Sequence, residues 1–175
     1  MPIPSHLVIK TEGVDFEGLL SDWRWLVGAD LRPIVATAFG DLFLRGEFGR
    51  IYFLNAMIGE LKVVADSEDA FERLCEDREQ RRSLFLSSFL MEVRNLRGEL
   101  APGHCYSCEI PLSLGGQLEP ENFEPADLST HFSILGQLYR QTRHLPPGTK
   151  IDKINSVPPN ANPKPTSFWR RMLGS

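Results

Sequence analysis

Apolar residues recur at helical spacing through residues 15–28, where Phe16, Leu19, Leu20, Trp23, Leu26 and Val27 share one side and Gly28 suits a stop. The period then shortens. Residues 33–39, 42–45, 50–55 and 60–65 are short runs rich in β-branched and aromatic residues, separated by links that contain Gly40, Gly46, Gly49 and Gly59. Runs of this kind, joined by a few turn residues, predict an antiparallel meander. In residues 50–55 both alternating faces are apolar, with Ile51 and Phe53 on one side and Tyr52 and Leu54 on the other. A strand built that way is covered on both faces and lies inside a sheet, not at its edge.

Helical spacing returns after Asp66-Ser67, which suit a helix start with Glu68 and Asp69 in the first turn. Phe71, Leu74 and Cys75 form its buried stripe. A second helix is predicted over about 79–96, with Leu84, Phe85, Phe89, Val93 and Leu96 inward and Gly98 as its stop. Residues 104–112 predict another strand, and 119–127 an acidic, proline-marked loop. The last helix is predicted over about 126–143. Its residues Leu128, His131, Phe132, Ile134, Leu135, Leu138 and Tyr139 fall on one arc, with Gln137 nearly opposite and Gln141 at the edge. Gly136, beside that arc, suits the close approach of a neighbouring element. The pattern predicts an α+β fold: one domain over 15–151, a mainly antiparallel meander packed with helices. An N-terminal extension (1–14) precedes it, and a Pro/Asn-rich flexible tail (152–175) follows.

Charge adds one feature. The net charge is −4, yet residues 98–139 hold no Lys or Arg and include Glu99, Glu109, Glu119, Glu121, Glu124 and Asp127. From Arg140 onward seven basic residues face Asp152 alone. A stretch of one sign steers a partner of the other and repels nucleic-acid phosphates. The candidate partner contact is therefore Glu119, Glu121, Glu124 and Asp127, on a protein that binds no nucleic acid directly. No apolar run approaches the roughly 18 residues of a membrane span, and the start of the chain lacks a secretion signal. Three cysteines, Cys75, Cys105 and Cys108, are too few for a disulfide framework and fit a reduced cytoplasmic protein.

The sequence carries no catalytic constellation. His131 sits among apolar neighbours and reads as a core histidine with a hydrogen-bonding partner. Cys105 and Cys108 lie three apart on a strand, so they point to opposite faces, and a second ligand pair for zinc is missing. The run 146–150 (PPGTK) lacks the upstream glycine of a phosphate loop and predicts a turn. No catalytic residue, metal site or cofactor is predicted. The basic aromatic stretch 167–173 (SFWRRML) is a terminus too short to hold a membrane or groove strongly.

Several stretches together resemble a known bacterial family: residues 22–45, 49–67, 100–116 and 121–151. Their most specific pieces are Phe39-Gly40-Asp41-Leu42-Phe43 with the Gly49 hairpin, Leu114-Gly115-Gly116, Gly136-Gln137-x-x-Arg140-Gln141, and Pro146-Pro147-Gly148-Thr149-Lys150. The resemblance is to the C-terminal domain of immunity proteins that neutralise DNase effectors of the type VI secretion system. It implies a non-enzymatic inhibitor that binds a cognate toxin, basic and a nuclease, with no catalytic residues of its own. The paired-domain members carry a further N-terminal domain, for which this chain has at most a stub before Asp22. Two other readings remain open at this point: a small enzyme using a pocket near His131, and an adaptor acting through its C-terminal tail.

Overall fold

The alternation in residues 32–65 folds into the meander it predicts. The computed structural model describes residues 3–10, 13–146 and 148–151. The tail over 152–175 lies outside them. Four strands, β1 (Arg32–Ala36), β2 (Leu42–Arg45), β3 (Ile51–Asn55) and β4 (Glu60–Ala65), pair in sequence order, all antiparallel. Register is set by cross-strand pairs such as Phe43 opposite Phe53 and Leu44 opposite Tyr52. Among the described residues no strand pairs with the far side of β4. That edge carries Glu60 and Lys62 and an irregularity between its pairings to Ile51 and Tyr52, features that discourage a further strand.

Both faces of β2 and β3 are buried, as the apolar residues of both parities require. Leu42, Leu44 and Leu54 belong to one core with Trp23, Phe132, Ile134 and Leu138. Phe43, Ile51 and Phe53 belong to the other, with Phe71, Phe85, Leu90 and Val93. Phe43 lies 4.8 Å from the rings of Phe53 and Phe71 and 5.3 Å from Phe85. Leu7 and Ile9, in the stretch read as an N-terminal extension, also enter these cores, and Ile9 N–H donates to the Ala36 carbonyl at 3.1 Å.

The helix predicted over 15–28 is broken. α1 (Phe16–Leu19) and α2 (Arg24–Val27) flank a 3₁₀ turn at Ser21–Trp23. Leu20 and Trp23 have ψ near zero, which tightens the turn and brings Leu19, Leu20, Trp23 and Val27 all into the core. α3 (Glu68–Glu76) begins where predicted, with the Ser67 hydroxyl accepting from Ala70 N–H at 3.1 Å. The next predicted helix is also two, α4 (Arg78–Leu84) and α5 (Ser87–Arg97), separated by Leu86 in the left-handed region (φ 47°). The break turns Phe85 inward against Phe43.

The loop predicted over 119–127 is corrected by the structure. Phe123–Asp127 is a strand, β6, paired antiparallel with β5 (His104–Cys108), and the predicted strand 104–112 ends at Cys108. Only Phe123 of the five residues of β6 is buried, so acids and Pro125 left no alternation by which the sequence could mark a strand. Tyr106 N–H donates to Ala38 O at 2.8 Å and ties this hairpin to the end of the meander. α6 (Leu128–Thr142) follows at once, capped by Asp127. Gly136 meets its expected neighbour. A Cβ there would stand 2.9 Å from Asp22 O and from Trp23 Nε1, an indole held by its hydrogen bond to Phe132 O at 2.8 Å. Gly136→Ala should therefore lower stability by about 1–2 kcal/mol, overpacking outweighing the helix propensity gained. Urea midpoints will measure it, and an unchanged or raised midpoint would show the contact to be slack.

Candidate functional site

The acidic stretch is held in shape from within by Asn122 and from outside by Arg97. The amide of Asn122 donates to the carbonyls of Ile110 and Gln117, both at 2.9 Å, and its oxygen accepts from Ile110 N–H at 2.9 Å. Glu109 N–H donates to the Asn122 carbonyl at 2.7 Å, where the loop leaves β5. Inside it, Gly116 lies so near the Ile110 carbonyl that a Cβ would come within 1.9 Å of its oxygen. From outside, Arg97 at the end of α5 donates to the Glu121 carbonyl at 2.7 Å and pairs with the Glu124 carboxylate at 2.7 Å. Residues 109–122 are thus a tied loop on the end of the β5–β6 hairpin, not a slack connection.

The four acidic residues singled out from the sequence occupy different settings. Glu119 and Glu121 are exposed. Glu124 is half-buried beside Arg97, and Asp127 caps α6, accepting from Thr130 N–H at 2.9 Å and Thr130 Oγ1 at 3.1 Å. Ile110 and Leu118, 42% and 49% exposed, stand on the same tied loop. Arg94 also pairs with Glu99 at 3.5 Å. Folding therefore threads arginines of α5 into the acidic stretch and concentrates its open charge at Glu119 and Glu121. Asn122, Ile110 and Leu118 escaped the sequence reading. The Asn within a loop closed by Gly115-Gly116 was the available signal.

A second polar group lies inside, where the two cores meet at the Gly40 turn. His131 is 3% exposed, and its Nδ1 is 2.8 Å from Ser107 Oγ. Its Nε2 has no hydrogen-bond partner among the described residues and faces Gly40 so closely that a Cβ there would stand 2.6 Å away. Gly40, at φ 79°, answers both the turn and that approach. Asp41 next to it accepts from Ala56 N–H at 2.8 Å and from Thr37 Oγ1 at 3.4 Å, while Thr37 Oγ1 accepts from the N–H groups of Phe39 and Asp41. The Asp41 side chain so joins the β1–β2 turn to the end of β3.

Burial governs the protonation of this group. It lowers His131 to about 4 and raises Asp41 to about 7. Cys105 is pushed well above its ordinary value and Cys108 up to about 12, so both thiols stay protonated. Cys75, Cys105 and Cys108 are free and buried, and the last two belong to opposite cores. A histidine so enclosed meets no substrate without opening the core. The clefts near α4, of about 430 and 340 Å³, are lined by residues between Val64 and Phe89 and do not reach it. Among the described residues no group of His, Cys, Asp or Glu could hold a metal ion, and no helix is long and apolar enough to cross a membrane. Thr149 donates to the Pro146 carbonyl through its Oγ1 at 2.6 Å and its N–H at 3.2 Å.

Residues 65–139 match the family model described as T6SS immunity protein Tdi1, C-terminal. This is the family that the sequence motifs resemble. The Tdi1 match runs from the last residue of β4 into α6, so it holds α3–α5, the β5–β6 hairpin, the tied acidic loop and His131. Among solved structures, "Crystal structure of Atu4351 from Agrobacterium tumefaciens" is similar at a TM-score of 0.53 and 19% identity, covering 77% of this chain and 69% of that one. At that identity the likeness is one of fold, and it supports the α+β architecture. No curated protein matches the chain.

Asp41 and His131 pull stability in opposite directions with pH. The fold keeps a proton on Asp41 that the unfolded chain releases. Its contribution is full below about pH 4 and is lost as pH rises through 7. The fold keeps His131 neutral, a contribution full above pH 6.5 and lost as pH falls through 4. Between pH 4 and 6.5 the two slopes oppose. Asp41→Asn should therefore unmask a stability that rises across that window, and His131→Asn one that falls. Urea midpoints followed by tryptophan fluorescence at several pH values decide this; parallel profiles for both variants and the wild type would refute it.

Proposed function

We propose that this protein is an immunity protein that binds and neutralises a cognate type VI secretion toxin, a DNase, in the cytoplasm and without catalysis. The observation that carries the reading is the Tdi1 C-terminal match over residues 65–139, which contains the tied acidic loop. A DNase offers a basic cleft shaped for phosphates, and carboxylates on a rigid loop can occupy such a cleft in their place. Glu119 and Glu121 are the proposed contacts, with Glu124 and Asp127 at their back and Ile110 and Leu118 supplying apolar area beside them. Stoichiometric occlusion of this kind needs no cofactor and no catalytic residue, and no nucleic acid touches the inhibitor. The enclosure of His131 by Ser107 and Gly40 speaks against the competing reading of an enzyme that uses it as a base.

The test is kinetic. Glu119→Lys with Glu121→Lys should slow association with the toxin about tenfold at low ionic strength, and the deficit should shrink as salt screens it. Stability should be nearly unchanged, because neither carboxylate is committed to a cap or to Arg97. Stopped-flow or biosensor measurement of the on-rate at two salt concentrations reads the effect. An unchanged on-rate at low salt would remove this loop from the interface, whereas a toxin that leaves DNA intact would remove the phosphate-mimic mechanism and keep the immunity role.

A further inference from the structure

The link between β2 and β3 shows a side chain placed against its own local interest. Phe48 is 97% exposed and lies in the left-handed region, at φ 56° and ψ 21°. That conformation is one that glycine and asparagine adopt readily and a bulky aromatic residue resists. Phe48 therefore forgoes both burial and backbone ease. The tip that carries it is nonetheless well held. Gly46 N–H donates to Arg50 O at 2.8 Å, and Arg50 N–H donates to Glu47 O at 3.2 Å. Gly46 packs on the Tyr52 ring and Leu31, and Gly49 lies over the start of α3. Arg45 grips Glu68 through two bonds of 3.0 Å, and Arg50 reaches Asp66 at 3.5 Å. The ring is thus presented on a fixed support.

We infer that Phe48 is the anchor of a second contact surface, and that it seats in an apolar pocket with a basic rim on the toxin. The identity of the partner rests on the immunity reading; the surface itself rests on the hairpin. Pre-organised, low-entropy aromatic side chains are what protein interfaces use as central anchors. The collar around the ring leans acidic: Glu68 and Asp66 are paired with Arg45 and Arg50, which leaves the exposed Glu47 beside Phe48 as its open charge. The same acidic collar disfavours an anionic membrane, and a lone ring gives such a surface little affinity. Phe48 lies outside the stretch that the Tdi1 model matches, whereas the acidic loop lies within it.

Two variants test it in the full chain, Phe48→Gly and Phe48→Ala, the first accepting the left-handed backbone and the second keeping a Cβ. The probe is the purified product of the gene adjoining this one, carrying an inactivating substitution. Wild-type protein should bind it. Both variants should bind about 30-fold more weakly, mainly through faster dissociation, with thermal midpoints no lower than wild type. Undiminished binding by both variants overturns the Phe48 anchor and leaves the immunity reading standing. Failure of the wild type to bind overturns both. A wild-type dimer in sedimentation that both variants abolish would overturn the toxin as occupant, the pocket then belonging to a second copy of this chain.

Discussion

The rest of this structure depends on a sheet whose inner strands have no side that can face water. Leu42 and Leu44 leave β2 in one direction and Phe43 in the other; Leu54 and the pair Ile51 and Phe53 divide β3 in the same way. Each face must therefore be covered by apolar surface from elsewhere in the chain. α6, with the broken helical segment around Trp23, covers one. α3 to α5 cover the other. The β5–β6 hairpin, tied to Ala38 by Tyr106 N–H, carries Cys105 into one core and Tyr106 and Phe123 into the other, and so closes the seam between them.

That seam explains the polar residues that chemistry-minded reading finds tempting. Where two cores meet at a turn, backbone N–H groups are left without ladder partners, and something buried must accept them. Asp41 and Thr37 do so for Phe39, Asp41 and Ala56. His131 fills the remaining space against Gly40, bonded to Ser107. Perturbed ionisation here follows from enclosure, and it marks a structural joint as readily as an active centre. Asp41 keeps its proton near neutrality because a carboxylate in that place would lose far more hydration than its hydrogen bonds return.

What could be read from the chain follows the same division. Period-two alternation in residues 32–65 reported the meander because it is a local consequence of burial, and the two-faced run 50–55 reported its own central place. The core role of His131 was legible from its neighbours on α6. The breaks at Leu20–Trp23 and at Leu86 were not, because each is imposed by a distant packing demand: Trp23 beneath α6 and Phe85 against Phe43. β6 was hidden by its composition, since acids and a proline are rare in strands and only Phe123 of its residues is buried. In the acidic loop the carboxylates were visible and their scaffold was not. Asn122 acts through backbone groups five and twelve residues away, which no local pattern encodes.

The arginines of α5 alter what that loop can do. Arg97 neutralises Glu124 and holds the Glu121 carbonyl, and Arg94 takes Glu99. A stretch that looks uniformly acidic along the chain thus becomes, in three dimensions, two open carboxylates on a fixed frame. Two charges make a modest field, screened within about 8 Å at physiological salt. Long-range steering by such a field is therefore felt mainly at low ionic strength, and at physiological salt rigidity has to supply what charge does not. A tied loop loses little freedom on docking, so each contact it makes counts nearly in full. On the function proposed above, recognition of the toxin would lie in shape, in the fixed placement of Ile110 and Leu118 beside Glu119 and Glu121, more than in net charge.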